Sequence, residues 1–232
     1  MTYDWRAGLV LLAAVYLMVR LGYFLVFKVH ALQRMRDINR EQDALKMADE
    51  RYPPMVTASI RVGLVTNLVF FLVLAPFVIT LEAEPVWRYL TDVVLILLVF
   101  DFSYYLTHRF LLHGVAYFKR VHAVHHQARK PTHIDAYYVH PLETFMGQAL
   151  LIASAVGLGA LIGPFHVGSV AAAYVIYVQL NVINHTYVDL PYFPFKALDY
   201  ITTKHAIHHI NMSKGNYATI TMMYDYAFGT LD

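Results

Sequence analysis

Five apolar runs divide this chain, and no other feature constrains its fold so strongly. Residues Ala7–Phe27, Val62–Leu81, Tyr89–Leu106, Leu142–Ile162 and Val167–Ile183 each hold enough apolar side chains to cross the roughly 30 Å hydrocarbon core of a bilayer. Arg20 is the one charge in the first run, Pro76 can kink the second, and the third carries Asp92 and Asp101 near its ends. In lipid every backbone polar group must be satisfied within its own element, so such runs become helices. The expected fold class is all-α: a multi-pass transmembrane helical bundle of about five spans with a cytoplasmic helical cap. The last two runs, rich in Ala and Gly, also fit a hairpin that dips only partway. They are joined by Gly163-Pro164-Phe165-His166, a tight turn.

Charged residues make up 15% of the chain, well below the roughly 25% of soluble domains. Spans and one polar face use up the 232 residues, so residues 1–232 read as a single membrane domain. Within it, residues 1–100 supply N-terminal spans and 101–232 a histidine-rich region. A net charge of +2 is too mild to suggest nucleic acid. The lack of cysteine excludes disulfides, thiolate metal sites and iron–sulfur clusters. The first run is too long for a signal-peptide core and lacks a small-residue cleavage site, so it reads as a retained span.

Orientation follows from the basic residues. Lys28, Arg34, Arg36, Arg40, Lys46 and Arg51 precede the second run. Arg109, Lys119, Arg120, Arg129 and Lys130 lie between the third and fourth, and Lys196, Lys204 and Lys214 follow the fifth. The opposite loops offer Glu82, Glu84 and Arg88, then no charge at all in Gly163–His166. Short basic loops stay in the cytoplasm, which puts the N-terminus outside and the C-terminus inside.

Thirteen histidines in such a chain need a reason. His108 and His113 sit where the third span ends, as H-x4-H, and His122, His125 and His126 follow as H-x2-HH. His185 ends the fifth span with Asn181 one turn before it, and His205, His208 and His209 repeat H-x2-HH. Residues i, i+3 and i+4 share one side of a helix, so each H-x2-HH can aim three imidazoles inward. These nine histidines exceed what one ion takes, whereas two ions use them all. Imidazole without cysteine suits Fe, Zn, Cu or Ni, and ligand softness does not choose among them. A lone H-x4-H or H-x2-HH is more often surface histidine than ligand; the repetition on one side favours ligation. His30 reads as solvated, His166 lies in the opposite turn, and His133 is a loop residue open to either reading. His140 precedes Pro141 and stands three residues before Glu143. It is open among helix cap, partner of a ligand and tenth ligand.

The order of these motifs resembles the fatty acid hydroxylase and sterol desaturase superfamily. The likeness runs from about Asp101 to the C-terminus and includes Pro131-Thr132, His140-Pro141-Leu142-Glu143, Asn216-Tyr217 and the closing Asp225-x-x-Phe228-Gly229-Thr230. It implies an O2-dependent, membrane-bound di-iron enzyme that hydroxylates a lipid (a fatty acyl, sphingoid or sterol-like chain), with desaturation on the same site as the alternative. The implied ligands of the two Fe ions are His108, His113, His122, His125, His126, His185, His205, His208 and His209, and recombinant protein can carry Zn instead. Two departures stand out. Asn181-x3-His185 replaces the H-x3-H of some members, and Ala218 follows Asn216-Tyr217 where Gly is usual. Asn181 is therefore expected to reach a metal through water or not at all. Asp101 is a candidate to bond a ligand, with pairing to Arg109 the alternative, and Asp135, Glu143, Asp189 and Asp225 are weaker candidates for the same role.

The chain has no haem-binding segment or flavin fingerprint, so the resemblance implies a separate electron donor (cytochrome b5-, ferredoxin- or rubredoxin-like). The basic cytoplasmic face can dock an acidic partner. The implied location is the bacterial inner membrane or the endoplasmic reticulum. Two rival classes fit less well. A metal transporter would place its ligands near mid-membrane between broken helices, and a zinc hydrolase would need an open position with a general base, as in H-E-x-x-H.

Overall fold

The computed structural model describes residues 3–26, 28–190 and 192–232. Phe27, the expected end of the first span, lies outside them. The elements run in order α1 (Trp5–Val26), α2 (His30–Met47), α3 (Tyr52–Val78), α4 (Val86–Leu112), α5 (Ala116–His125), α6 (Pro141–Ile162), α7 (Val167–Asn184), α8 (Lys196–Ile210) and α9 (Met223–Ala227). Five of these, α1, α3, α4, α6 and α7, are long and apolar enough to cross a membrane. The protein is an all-α, multi-pass membrane bundle.

The spans differ from expectation mainly at their ends. α3 begins at Tyr52 rather than Val62, because Pro53 and Pro54 preset its first turn, and Arg61 is carried on the helix. α4 runs past Leu106 to Leu112. α6 and α7, at 22 and 18 residues, have the length of full spans rather than of a shallow hairpin.

Each of the two longest spans contains a π turn, Phe70–Leu74 in α3 and Thr107–Leu112 in α4. The first adjoins Pro76, which has no N–H to offer the carbonyl of Leu72. That carbonyl accepts instead from the Tyr3 hydroxyl at 2.9 Å. A proline that would otherwise leave a bare carbonyl in lipid is thus answered by the segment leading into α1.

α4 lies against α6 and α7, α3 packs on α6, and α1 packs on α7 and the π turn of α3. Leu11, Val78, Ile96, Phe100 and Phe165 are fully buried at these crossings. At one end of the bundle Ile79–Thr80 pairs in parallel with Phe165–His166. His166 stands here and caps α7 by accepting from Gly168 N. The length of α7 puts it about 27 Å from His185. The other end carries the cap, built from α2, α5, α8, α9 and a 3-10 turn at His133–Ala136. All three basic segments lie at that end.

Two carboxylates considered as partners of a ligand belong to this scaffold. Asp135 is buried and bonds Tyr52 Oη at 2.9 Å, Thr132 N at 2.6 Å and Lys46, which pins the 3-10 turn to α2 and α3. Asp189 makes an exposed pair with Arg34 at 3.6 Å. Neither touches a histidine, because charged donors nearer at hand take their oxygens. His133 likewise faces Asp43 at 3.5 Å.

Gly8 is where α1 crosses the π turn of α3. A Cβ there would strike the carbonyl oxygen of Phe71 and press on Pro76 Cγ at 3.1 Å, whereas Gly22 has open space around it. Gly8→Val should therefore lift α1 and cost about 1–3 kcal/mol, read as a lower unfolding temperature in detergent. Gly22→Val should change little. Equal stability of the two variants would refute this crossing.

Candidate metal centre

The nine histidines of the motifs gather beneath the cap in two adjoining groups. One holds His108, His113, His122, His126 and His208; the other holds His125, His185, His205 and His209. Eight of the nine are buried and His113 is half-buried.

Local geometry explains how each arrives. His108 and His113 are five residues apart, a spacing that an α-helix sends to different sides. The π turn corrects this. His113 N donates to His108 O at 3.0 Å, closing an i→i+5 turn, and the two rings lie 5.0 Å apart. The H-x2-HH triplets divide between the groups in opposite ways. On α5, His122 and His126 serve the first group and His125 the second; on α8, His208 serves the first and His205 with His209 the second. In each triplet the i,i+4 pair points one way and the i+3 residue the other, since i+3 falls about 60° short of a full turn at 3.6 residues per turn.

The tautomers follow from the partners. His108 Nδ1 donates to Tyr217 O at 2.7 Å, His113 Nδ1 to Met212 O at 3.0 Å, His208 Nδ1 to Gly215 O at 2.8 Å and His185 Nδ1 to Asn181 O at 2.7 Å. His122 Nδ1 donates to Glu143 Oε1 at 2.7 Å. A carbonyl only accepts, so these rings carry their proton on Nδ1 and a lone pair on Nε2. Yet the Nε2 atoms face one another. His108, His122, His126 and His208 form a closed ring of Nε2 atoms with edges of 2.9, 2.9, 3.1 and 3.1 Å. In the second group His125, His185, His205 and His209 follow at 2.9, 3.0 and 3.1 Å.

Lone pairs cannot hydrogen-bond to lone pairs, so the packing of His108 against His122 and His208 suits a cation at the centre of the first group, and His185 turns the same Nε2 face toward the second. A square with edges near 3 Å has its centre about 2.1 Å from each corner, the length of an imidazole–metal bond. The donor set fits two metal ions. Burial, with neighbouring imidazoles adding to it, holds His113, His126 and His208 in the neutral form that ligation needs. His208 is pushed down to about 4, His113 to about 3 and His126 to about 2.

The other candidates fall into place around the groups. Glu143 bonds His122 directly. His140 is a helix cap, accepting from Leu142 N at 3.2 Å, and belongs to neither group. Asn181 gives its backbone carbonyl to His185, and its side chain lines a cavity beside the second group.

Asp101 departs from expectation. It bonds neither a histidine nor Arg109, but accepts from Thr219 N, Ile220 N, Thr221 N and Thr221 Oγ1 at 2.8–3.1 Å. Arg109 instead donates to Tyr105 Oη. Asp225 works in the same way, accepting from Tyr217 N and Ala218 N at 2.8 Å each and from Thr230 Oγ1 at 2.7 Å. Backbone amides outcompete imidazole for these oxygens because residues 217–221 return against α4. That strand of chain in turn presents the Tyr217 carbonyl to His108. The sequence carried no sign that backbone carbonyls at 212, 215 and 217 would orient the rings.

The fatty acid hydroxylase family pattern matches residues 93–230, a stretch that takes in all nine histidines. The chain belongs to the fatty acid hydroxylase family. Methylsterol monooxygenase 1 of Rattus norvegicus is 33% identical over 132 residues, covering 56% of this chain and 43% of its own length. Very-long-chain aldehyde decarbonylase of Oryza sativa subsp. indica is 32% identical over 152 residues, covering 63% of this chain and 54% of its own. The chain thus spans about half the length of the curated relatives it matches. No solved structure matches it.

Three outcomes test this family member's site. Metal-free protein should lose stability as the pH falls from about 6.5 toward 4, because the unfolded histidines take up protons there and the buried ones do not; a flat unfolding temperature across that window would contradict the buried neutral rings. Glu143→Gln should weaken metal binding about 10–100-fold, measured by competition with a chelator, while His166→Ala should leave it unchanged. His122→Ala or His208→Ala should lose metal outright.

Proposed function

We propose that the chain holds two iron ions through His108, His113, His122, His126 and His208 on one side and His125, His185, His205 and His209 on the other. With them it hydroxylates a lipid, in the balance R–H + O2 + 2e⁻ + 2H⁺ → R–OH + H2O. Desaturation on the same site is the alternative outcome. The carrying observation is the pair of Nε2 groups beside a cavity. Bound iron would supply the activation of O2 that an unactivated C–H bond requires.

The chain's own residues set the direction of traffic. A cavity of about 310 Å³ reaches His125, His185 and His205 but no histidine of the five-membered group, so the lipid carbon would be presented to the four-histidine side. Glu143 serves both regions: Oε1 holds His122, while Oε2 is buried without a partner in a residue that lines the cavity. That oxygen is placed to hold or pass a proton. A second crevice, lined by His126, Gln127, Arg129, His209 and Asn211, opens on the cap, whose chain also carries Lys119, Arg120 and Lys130. An acidic electron donor would dock there. The positive charge of this face supports a cytoplasmic orientation, and the methylsterol monooxygenase relative makes sterol-like lipids the first substrates to test.

Metal analysis of active protein should give two equivalents per chain, and one or fewer would end the di-metal reading. Zinc in recombinant protein would not, because zinc displaces ferrous iron at nitrogen sites. The groups should also empty in order. His108, His113 and His208 have Nδ1 fixed by carbonyls, whereas Nδ1 of His125, His205 and His209 is buried without a partner, so a chelator should strip the four-histidine group first. Lipid extracts from cells with and without the protein decide the chemistry by mass spectrometry. Gain of one oxygen atom means hydroxylation, loss of two hydrogens means desaturation, and no difference in any lipid class refutes both.

A further inference from the structure

The cavity beside the four-histidine group is mainly apolar, yet its wall carries polar side chains deep inside the spans. Asn67 on α3 and Gln148 on α6 each bury a carboxamide oxygen that has no partner. Around them stand Tyr104, Tyr174, Tyr177 and Asn181, whose side chains make no hydrogen bond to the protein among the described residues. Unpaired polar groups inside a membrane span cost stability, and native proteins keep few of them. The groove on the other side of the same α3–α6 pair is almost wholly apolar, lined by Val62, Val65, Val69, Ala149 and Ile152 with Arg61 and Thr66 as its polar members.

Helix geometry gives the depth. Ser59 and Thr144 share a hydrogen bond of 2.7 Å, so α3 and α6 are in step there. A Cβ on Gly63 would lie 2.8 Å from Gln148 Nε2, which places that amide over Gly63, one turn further from the cap, with Asn67 a turn beyond. At 1.5 Å per residue Gln148 lies about 8 Å and Asn67 about 13 Å from the level of Glu143, and Tyr177 about 12 Å from His185. The Tyr177 hydroxyl would lie 3.4 Å from a Cβ on Gly147, at this same depth.

We propose that Asn67 and Gln148 receive the hydroxyl group of an amphipathic lipid bound with that end deepest, its reacting carbon held at His125, His185 and His205. A hydroxyl donates and accepts through one atom, as does each carboxamide through its two, whereas an alkyl end would leave both amides unpaired. The oxidised carbon then lies roughly 8–13 Å from the hydroxyl, not beside it. This rests on the reading of the cavity as a lipid site, and concerns recognition rather than oxidation.

The test is equilibrium binding to the metal-loaded full chain in lipid nanodiscs, without reductant, of radiolabelled cholestanol against cholestane and octadecanol against octadecane. The alcohol of at least one pair should bind about tenfold or more tightly than its hydrocarbon. Asn67→Leu combined with Gln148→Met, close in size but apolar, should erase that preference and unfold at no lower temperature than the wild type. Equal affinity within both pairs, binding of neither alcohol, an unchanged preference in the variant or a lower unfolding temperature would each overturn the proposal. So would a product oxidised on the carbon next to the hydroxyl. A lipid bound with this preference but never oxidised when reductant and O2 are supplied would defeat the proposed activity alone.

Discussion

Nine imidazoles crowded into two adjoining groups are costly to bury together, and much of the cap is arranged to keep them there. Each ring must be stripped of water, kept neutral and aimed. Backbone carbonyls at 181, 212, 215 and 217 do the aiming for four of them and Glu143 for a fifth. Those carbonyls need anchoring in turn. Asp101 and Asp225 supply it by gathering the amides of residues 217–221. Asn216, in the left-handed region at φ 65°, donates to Lys204 O and so ties the same segment to α8. Two carboxylates that touch no histidine therefore act on the site through the backbone.

The bundle supports this by bringing helix ends, rather than helix middles, to the site. α4 delivers His108 and His113 through its terminal π turn, α6 starts at Pro141 with Glu143 in its first turn, and α7 stops at Asn184 with His185 as its cap. Helix ends leave carbonyls unpaired. Here one of them, Asn181 O in the last turn of α7, becomes the acceptor that fixes His185.

Much of this was legible in the sequence where one residue type repeats at a fixed period. Apolar runs of span length and the doubled H-x2-HH gave the spans and the gathering of histidines, since neither pattern has many alternative readings. What stayed hidden depends on chain returning from far away. Asp101 could accept from any donor, and only the fold shows that residues 219–221 come back to it. The spacing of His108 and His113 made sense only with an i→i+5 turn, which apolar periodicity does not signal. The division into five and four histidines turns on the 60° offset within each triplet, too fine for a motif to show. The polar lining of the cavity comes partly from Asn67, in a region that resembled the family only as hydrophobic spans.

The opposed splitting of the two triplets has a consequence for how such a site can change over time. Neither α5 nor α8 belongs to one group, so a small rotation of either helix would open both groups together. Substitutions in the two groups should then be strongly epistatic: a second loss adds little to the first, and a compensating change near one group is felt at the other. A lineage could not retire one group and keep its neighbour by discarding a single helix. The centre is inherited as a pair, which leaves the cavity as the part free to diverge.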